Sequence, residues 1–487
     1  MPAYGVGAGR TGPEPGAAAR EPTSVPVCDE PPEPERARCQ SLLRTDVAAS
    51  GTSRSGARPP GYGPPDIWSA YQLPIRRGRG QTVAVVVAFD YPTAERDLGV
   101  YRRTFGLPPC TTADGCFRKI NQNGATRPLP PVDAGWALEA AIDIEAVSSS
   151  CPECGILLVE AASDTIADLL TAVDQARLQG AKFISMSWGH TESSGQRLLE
   201  SRFDHPGIAF VAASGAGGFP APLWPATSPH VTAAGGTKLV RFDPTFGSRG
   251  RARPSWVETA WTGSGSGSGC SRFQEKPAFQ TDPGCSRRAV ADLAAVGDPA
   301  TGFSTYTTTP TPTGSTGFLV AGGTSVSAPL IAGMYALAGT PGAADSPNSY
   351  PYATRQAFKD IVSGSTGSCG DSYLCTARPG YDVPTGVGAP RGVHGLRAPE
   401  PPKPSNEPDQ HTIWQAIKKA EKNGQHSAKG PKKHAWQRAR GARGREGREG
   451  REGREGREQA GRGREEARPR TARGLKRQPP AGRFHPG

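Results

Sequence analysis

No stretch of the 487-residue sequence reaches the ~18 consecutive apolar residues of a membrane-spanning helix, so a helical membrane anchor is not expected. The first 30 residues lack a basic segment followed by an apolar one, which argues against a signal peptide. Aromatic residues are few, at 7%, while 63 Gly and 49 Pro imply that part of the chain is loop or disordered. Cys151-Pro-Glu-Cys154 has no second Cys-x-x-Cys and no histidine cluster to complete a zinc site. A small disulfide loop is therefore the preferred reading there. The body also lacks net charge. Residues 1–400 hold 34 basic and 35 acidic side chains, and the chain's +12 comes from a tail with 23 Lys and Arg against 10 Asp and Glu.

The ten cysteines fall as neighbours, Cys28/Cys39, Cys110/Cys116, Cys151/Cys154, Cys270/Cys285 and Cys369/Cys375. An even set of close pairs suggests local disulfides and an oxidising compartment. That expectation stands against the missing export signal, and another start or another route would reconcile the two.

Residues 1–60, rich in Pro, Gly, Ala and Arg, read as a disordered leader or propeptide remnant. Ordered signals begin at "GYGPPDIWSAYQL". "QTVAVVVAF", "GILLVEA", "KFISMSWG", "IAFVAAS" and "HVTAAGG" are apolar runs of the kind that form strands buried on both faces. "AERDLGVYRRTFG", "SDTIADLLTAVDQARLQG", with a Ser/Asp cap and Gly180 as its stop, and "SSGQRLLESRF" carry helical spacing. The alternation predicts an α/β fold with a mostly parallel sheet covered on both faces, its site beyond the strands' carboxyl ends. Residues 399–487 read as a disordered basic low-complexity tail. A Pro-rich linker leads to one amphipathic stretch, "HTIWQAIKKAEK", and then to five consecutive Gly-Arg-Glu triplets at 444–458. Nucleic-acid binding by this tail is the weaker reading, because the interleaved glutamates dilute its field and few rings, such as Trp436, are there for stacking.

"AGGTSVSAPLIAG", residues 321–333, presents Ser325 at the end of a glycine turn that opens a helix. Its hydroxyl is a weak nucleophile until a base takes the proton. His411, His426, His434 and His485 lie in the tail and His394 at the body's end. None of His190, His205 and His230 stands in a His-Gly-Thr helix start. A carboxylate is the other candidate. In the helix expected over 135–151, Glu139 and Asp143 are four residues apart and share a face among Leu138, Ala141 and Ile142. A solvated acidic face explains that spacing equally well. A coupled pair that shares protons explains it with chemistry, and such a base works in acid, where imidazole is protonated.

Serine on a Gly-Thr-Ser turn, Glu-x-x-x-Asp upstream and no histidine motif together resemble the sedolisin family of serine-carboxyl peptidases. The resemblance covers roughly residues 61–395, through "YGPPDIWSAYQLP", "EAAID", "GGTSVSAP", "FKDIVSGSTG" and "ARPGYDVPTGVGAP". It implies a subtilisin-like three-layer α/β fold over 61–398 and a secreted, acid-acting peptidase with one calcium. Ser325 would be the nucleophile, Glu139 the base and Asp143 the residue holding it. The family's long folding propeptide would be absent or truncated in a leader of some 60 residues. The family's oxyanion aspartate maps to Ala216, within "AASGAGG", which offers no side-chain donor and implies a slow peptidase or an inactive peptide-binding homologue. Calcium would take the carboxylates of Asp360 and Asp382 and the carbonyls of Ile361, Arg378 and Gly380. By spacing alone those two aspartates would merely cap turns. A protein or peptide substrate, no nucleic acid and a monomer complete the expectation.

Overall fold

Short strands β1 (Ser24–Pro26), β2 (Arg38–Cys39) and β3 (Ser41–Arg44) precede helix α1 (Pro64–Tyr71), where Pro64 and Pro65 fit the donor-free first turn. Alternating units follow: β4 (Thr82–Ala88), α2 (Ala94–Thr104), β5 (Phe117–Asn121), α3 (Ala134–Ser150), β6 (Gly155–Ala161), α4 (Ile166–Leu178), β7 (Phe183–Met186) and β8 (Trp188–Thr191). Then come β9 (Ala209–Ala213), β10 (Leu223–Trp224), β11 (Thr232–Phe242) and β12 (Ser255–Ala260). The two-residue strands β13 (Gly269–Cys270) and β14 (Ala289–Val290) pair with each other. Next are β15 (Leu293–Val296), β16 (Phe303–Thr307), β17 (Gly317–Gly323) and α5 (Thr324–Ala338), followed by the short α6 (Tyr350–Ala353) and the paired β18 (Phe358–Lys359) and β19 (Ala389–Pro390). The computed structural model describes residues 22–31, 33–51, 58–243, 254–263, 265–399 and 414–419.

The chain divides into two units, Met1–Glu400 and Pro401–Gly487. In the first, the main sheet runs β12-β11-β9-β7-β4-β6-β5, with β15 also on β11, and every pairing but β11·β12 is parallel. Val83–Ala88 and Ile156–Ala161 are buried on both faces, as their unbroken apolar sequence requires. Helices α3 and α5 pack on each other and on β4, and α4 packs on β4, β6 and β7, so the sheet is the middle of three layers. The second unit is described only at 414–419, an exposed helical turn in which Lys418 lies over the Trp414 ring. The remaining tail expectations lie outside the described residues.

Three local readings change. The leader is not disordered over 22–31 and 33–51, where Val27, Cys28, Ala37, Cys39, Gln40, Ser41 and Leu43 are buried; residues 1–21 lie outside the described ones. Helix α4 is capped by Thr165, whose hydroxyl accepts the Asp168 N–H, and not by Ser163 or Asp164. Ser194–Arg202 forms 3-10 turns in place of an α-helix. Only Gln196 is buried there, so no apolar face rewards α-helical propagation. All five cysteine pairs are disulfides as neighbours, and no described cysteine is free.

Candidate active site

Strand β17 ends in Gly322–Gly323, and α5 begins at once, so Ser325 is the second helical residue, where backbone N–H groups have no partner within the helix. Gly323 has φ 101°, and a Cβ there would stand 2.0 Å from the Gln40 carbonyl oxygen, so this turn needs glycine twice over. Pro329 has no N–H to give the Ser325 carbonyl, which accepts the Ser187 hydroxyl at 3.4 Å instead.

The "KFISMSWG" run expected as one strand breaks at Ser187. Residues up to Met186 stay in the main sheet, and Trp188 onward pairs with β10 and β2 in a separate three-stranded sheet. The break aims Ser187 at the site. Its hydroxyl donates to Asp143 Oδ1 at 2.6 Å, and its carbonyl accepts the Ser325 hydroxyl at 3.0 Å. Nothing in the sequence singled out Ser187.

Helix α3 is capped by Asp133, which accepts the Trp136 N–H, and is buried from Gly135 to Ser150. The solvated acidic face is thereby excluded, since Glu139 and Asp143 are both fully buried. Their neighbour Glu145 accepts the Thr305 hydroxyl at 2.6 Å and the Tyr306 N–H at 2.9 Å on Oε2, while its Oε1 has no partner among the described residues. Among the described residues, neither oxygen of Glu139, nor Oδ2 of Asp143, has a hydrogen-bond partner. Burial pushes Glu139 up to about 8, opposed by the adjacent hydroxyls of Ser325 and Ser41. Burial first, and the charge of Glu139 second, push Asp143 well above the carboxylate range, with the Ser187 hydroxyl opposing. Buried acids without partners are costly, and such groups gather where chemistry is done.

Imidazoles are engaged elsewhere. His190 meets the Pro34 carbonyl and Gln196, His230 lies 3.5 Å from Asp204, and His205 packs near Phe210. Ser325 Oγ bonds Ser187 and, unexpectedly, the Gln40 N–H at 3.0 Å.

Gln40 belongs to the segment read as a leader. Arg38 and Cys39 pair antiparallel with Gly189 and Trp188, and Ser41–Leu43 pair antiparallel with Gly323–Ala321. Between those pairings Gln40 crosses directly over Ser325, its N–H also donating to the Ser187 carbonyl at 3.1 Å. Its side-chain oxygen accepts the Ala216 N–H at 3.2 Å, so Ala216 lies beside the segment that crosses Ser325. Gly215 is tied by two hydrogen bonds to Thr324, the residue before Ser325.

Asp360 and Asp382 meet in one loop pair. Asp382 is buried and accepts the Arg378 N–H at 2.9 Å and the Thr385 N–H and hydroxyl, while Asp360 accepts the Gly380 N–H at 2.8 Å. Burial raises Asp382 to about 7, and Asp360 adds to the rise. Ile361, next to Asp360, is buried as well. Among the described residues no three His, Cys, Asp or Glu side chains gather as a metal cluster.

A three-layer fold with a serine at the head of a buried helix and carboxylates in place of imidazole defines a serine-type peptidase of subtilisin-like build. The subtilase family matches residues 134–365. Kumamolisin of Bacillus sp. (strain MN-32) is 30% identical over 400 residues, covering 74% of this chain and 68% of that protein. Pseudomonas sedolisin, a serine-carboxyl proteinase solved with two molecules of pseudo-iodotyrostatin, superposes with TM-score 0.55 at 23% identity, covering 69% of this chain and 96% of that one. The chain belongs to the sedolisin family of serine-carboxyl peptidases.

Proposed function

We propose that the protein cleaves peptide bonds in acid, with Ser325 as nucleophile, Glu139 as general base and Asp143 holding Glu139. The observation that carries this reading is a buried, unpartnered Glu139 beside a helix-head serine that no imidazole bonds. In the steps implied, the ionised Glu139 takes the Ser325 proton as Oγ attacks the substrate carbonyl. The oxyanion accepts the Ser325 backbone N–H, and Glu139 returns the proton to the leaving amine. Water then repeats the sequence on the acyl-enzyme, with Glu139 again as base. Asp143, fixed by Ser187, retains a proton and steadies the charge on Glu139. Ser325→Ala is expected to abolish acid casein hydrolysis, and activity equal to the parent's would reject the assignment.

The missing donor at Ala216 supports a second reading, a homologue that binds peptide without cutting it. A peptide aldehyde that seats in the cleft with no accompanying casein hydrolysis would favour it.

Calcium fits the 360–382 loops. Asp360 lies near enough to add to the rise at the buried Asp382, both accept N–H groups of the same loop, and among the described residues no lysine or arginine ion pair is formed with either. A dication bound by Asp360, Asp382 and the Ile361, Arg378 and Gly380 carbonyls would neutralise them with hard oxygen ligands. A chelator is then expected to lower the melting temperature by several degrees. Excess calcium at 100 times Kd contributes about 2.7 kcal/mol. Indifference to chelator would remove the site. Five disulfides favour an oxidising, extracellular location.

A further inference from the structure

Two turns of the body flank a groove next to the nucleophile. Strand β8 forms one side through Gly189, two residues past Ser187. The stretch from Gly215 to Leu223 forms the other, with Leu223 opposite Thr191 in the β8·β10 pairing. Leu223 touches both sides. A Cβ on Gly189 would come within 2.7 Å of its side chain, and a Cβ on Gly215 within 3.1 Å. Both walls are therefore glycine where the leucine lies between them. The groove holds about 870 Å³ and is lined by Gln40, Gly189, Ser193, Gly217, Ala221 and Leu223 among others. Of the body's titratable side chains, Glu192 and His190 line it, and both are bonded already. Glu192 accepts the Ser271 hydroxyl and the Arg272 N–H, the latter at 3.0 Å, and His190 Nδ1 meets the Gln196 amide at 2.8 Å.

Gln40 shows what this groove accepts. Its N–H donates to the Ser187 carbonyl at 3.1 Å, and Arg38 and Cys39 before it pair with Gly189 and Trp188. Its own carbonyl oxygen lies against Gly323, in the turn that carries Ser325. Backbone bonds of this kind do not depend on sequence, so an extended peptide that makes them presents its own side chain at the same place. The Gln40 side chain is only 3% exposed. Its oxygen accepts the Ala216 N–H at 3.2 Å, and its amide donates to the Arg38 carbonyl at 2.8 Å. One end of the carboxamide is thus satisfied by the body and the other by the strand that carries it.

We propose that this groove is the specificity pocket for the substrate residue whose carbonyl Ser325 attacks, and that the Ala216 N–H and Leu223 select glutamine there. The proposal rests on the peptidase reading. A methionine has the same length and no carbonyl, so it would leave the Ala216 N–H unpaired beneath it. A lysine or arginine entering between Gly189 and Gly215 would meet the hydrocarbon of Leu223, and nothing there would offset the desolvation of its charge. The selective group at position 216 is the backbone N–H, which alanine presents without a side chain long enough to cover it.

The test uses the folded full-length chain and pairs of peptides that differ only at the residue before the cleaved bond. Glutamine is expected to exceed methionine about 10-fold in kcat/KM, and lysine about 10²-fold. Leu223→Asp places a carboxylate between the glycine walls. At about pH 5.5, where an ordinary aspartate is ionised, it is expected to raise cleavage after lysine about 10²-fold over the parent. A second readout needs no hydrolysis. Gln40→Met and Gln40→Lys are expected to lower the melting temperature of the chain, lysine the more, and adding Leu223→Asp to Gln40→Lys is expected to restore most of that loss. Equal cleavage after glutamine and methionine would overturn the proposal, and that comparison decides if Leu223→Asp does not fold. A folded Leu223→Asp protein that keeps the parent's order would overturn it as well. If no peptide is cut but the melting temperatures follow the expected order, the selectivity of the groove is upheld and the peptidase reading is refuted.

Discussion

Glu139→Gln is expected to reduce peptide hydrolysis at acidic pH by about 10²–10⁴-fold, the usual contribution of a positioned general base. The change conserves shape, and the Ser325 and Ser41 hydroxyls beside residue 139 can take up the new amide, so the fold should persist. A stability readout separates this from mere damage. Glu139 sits near 8 in the folded chain, against about 4.5 when exposed. Between those values the unfolded state has released its proton and the folded state has not. The contribution is therefore complete below about 4.5 and is lost as pH rises toward 8, by up to about 1.4 kcal/mol per pH unit. The amide that Glu139→Gln introduces does not titrate. The variant's melting temperature should fall less between pH 5 and pH 8 than the parent's while its activity collapses. Parallel melting curves would show that residue 139 is ionised in the folded state.

The same linkage clarifies the resting enzyme. A base must be ionised, and with residues 38–44 over the site burial holds Glu139 above the ordinary carboxylate range. Withdrawal of residues 38–44 would admit water, reduce the desolvation and return Glu139 toward the ordinary carboxylate range, where it can act in acid.

Much of this was legible in local sequence, and the reasons are specific. Val83–Ala88 and Ile156–Ala161 announce buried parallel strands because both faces must be apolar. Ser325 and the Glu139/Asp143 pair were visible because a turn and a helix each fix their own spacing. The strands β1, β2 and β3 were not legible. They are two to four residues long and are stabilised by partners such as Gly189 and Gly323, about 150 and 280 residues away in sequence. Proline and charge around Arg36 gave this segment the composition of disorder, although its apolar side chains are buried against the body. Ser187 was missed for a related reason. A serine inside an apolar run carries no signal until the strand break turns it toward Asp143.

Ala216→Asp is the second large effect, and its direction is a gain. Attack on a carbonyl needs donors where the oxyanion forms, and removing one such donor costs about 10²–10³ in rate. Here the Ser325 N–H is available, while residue 216 presents a half-exposed methyl group in the cleft wall, its backbone N–H already reaching the Gln40 side chain. The wall is rigid, because Gly215 is bonded twice to Thr324 and Gly267 donates to the Gly215 carbonyl at 2.7 Å. A side chain added at 216 would therefore be held near the nucleophile without remodelling the turn. A carboxyl group donates only while protonated, so the gain of about 10²–10³ should appear in acid and vanish as the new group ionises, where its charge would repel the oxyanion. The dependence of kcat on pH for both proteins decides the matter. A gain of equal size at every pH would mean that the aspartate acts through packing, and no gain at all would mean that the oxyanion forms elsewhere in the cleft.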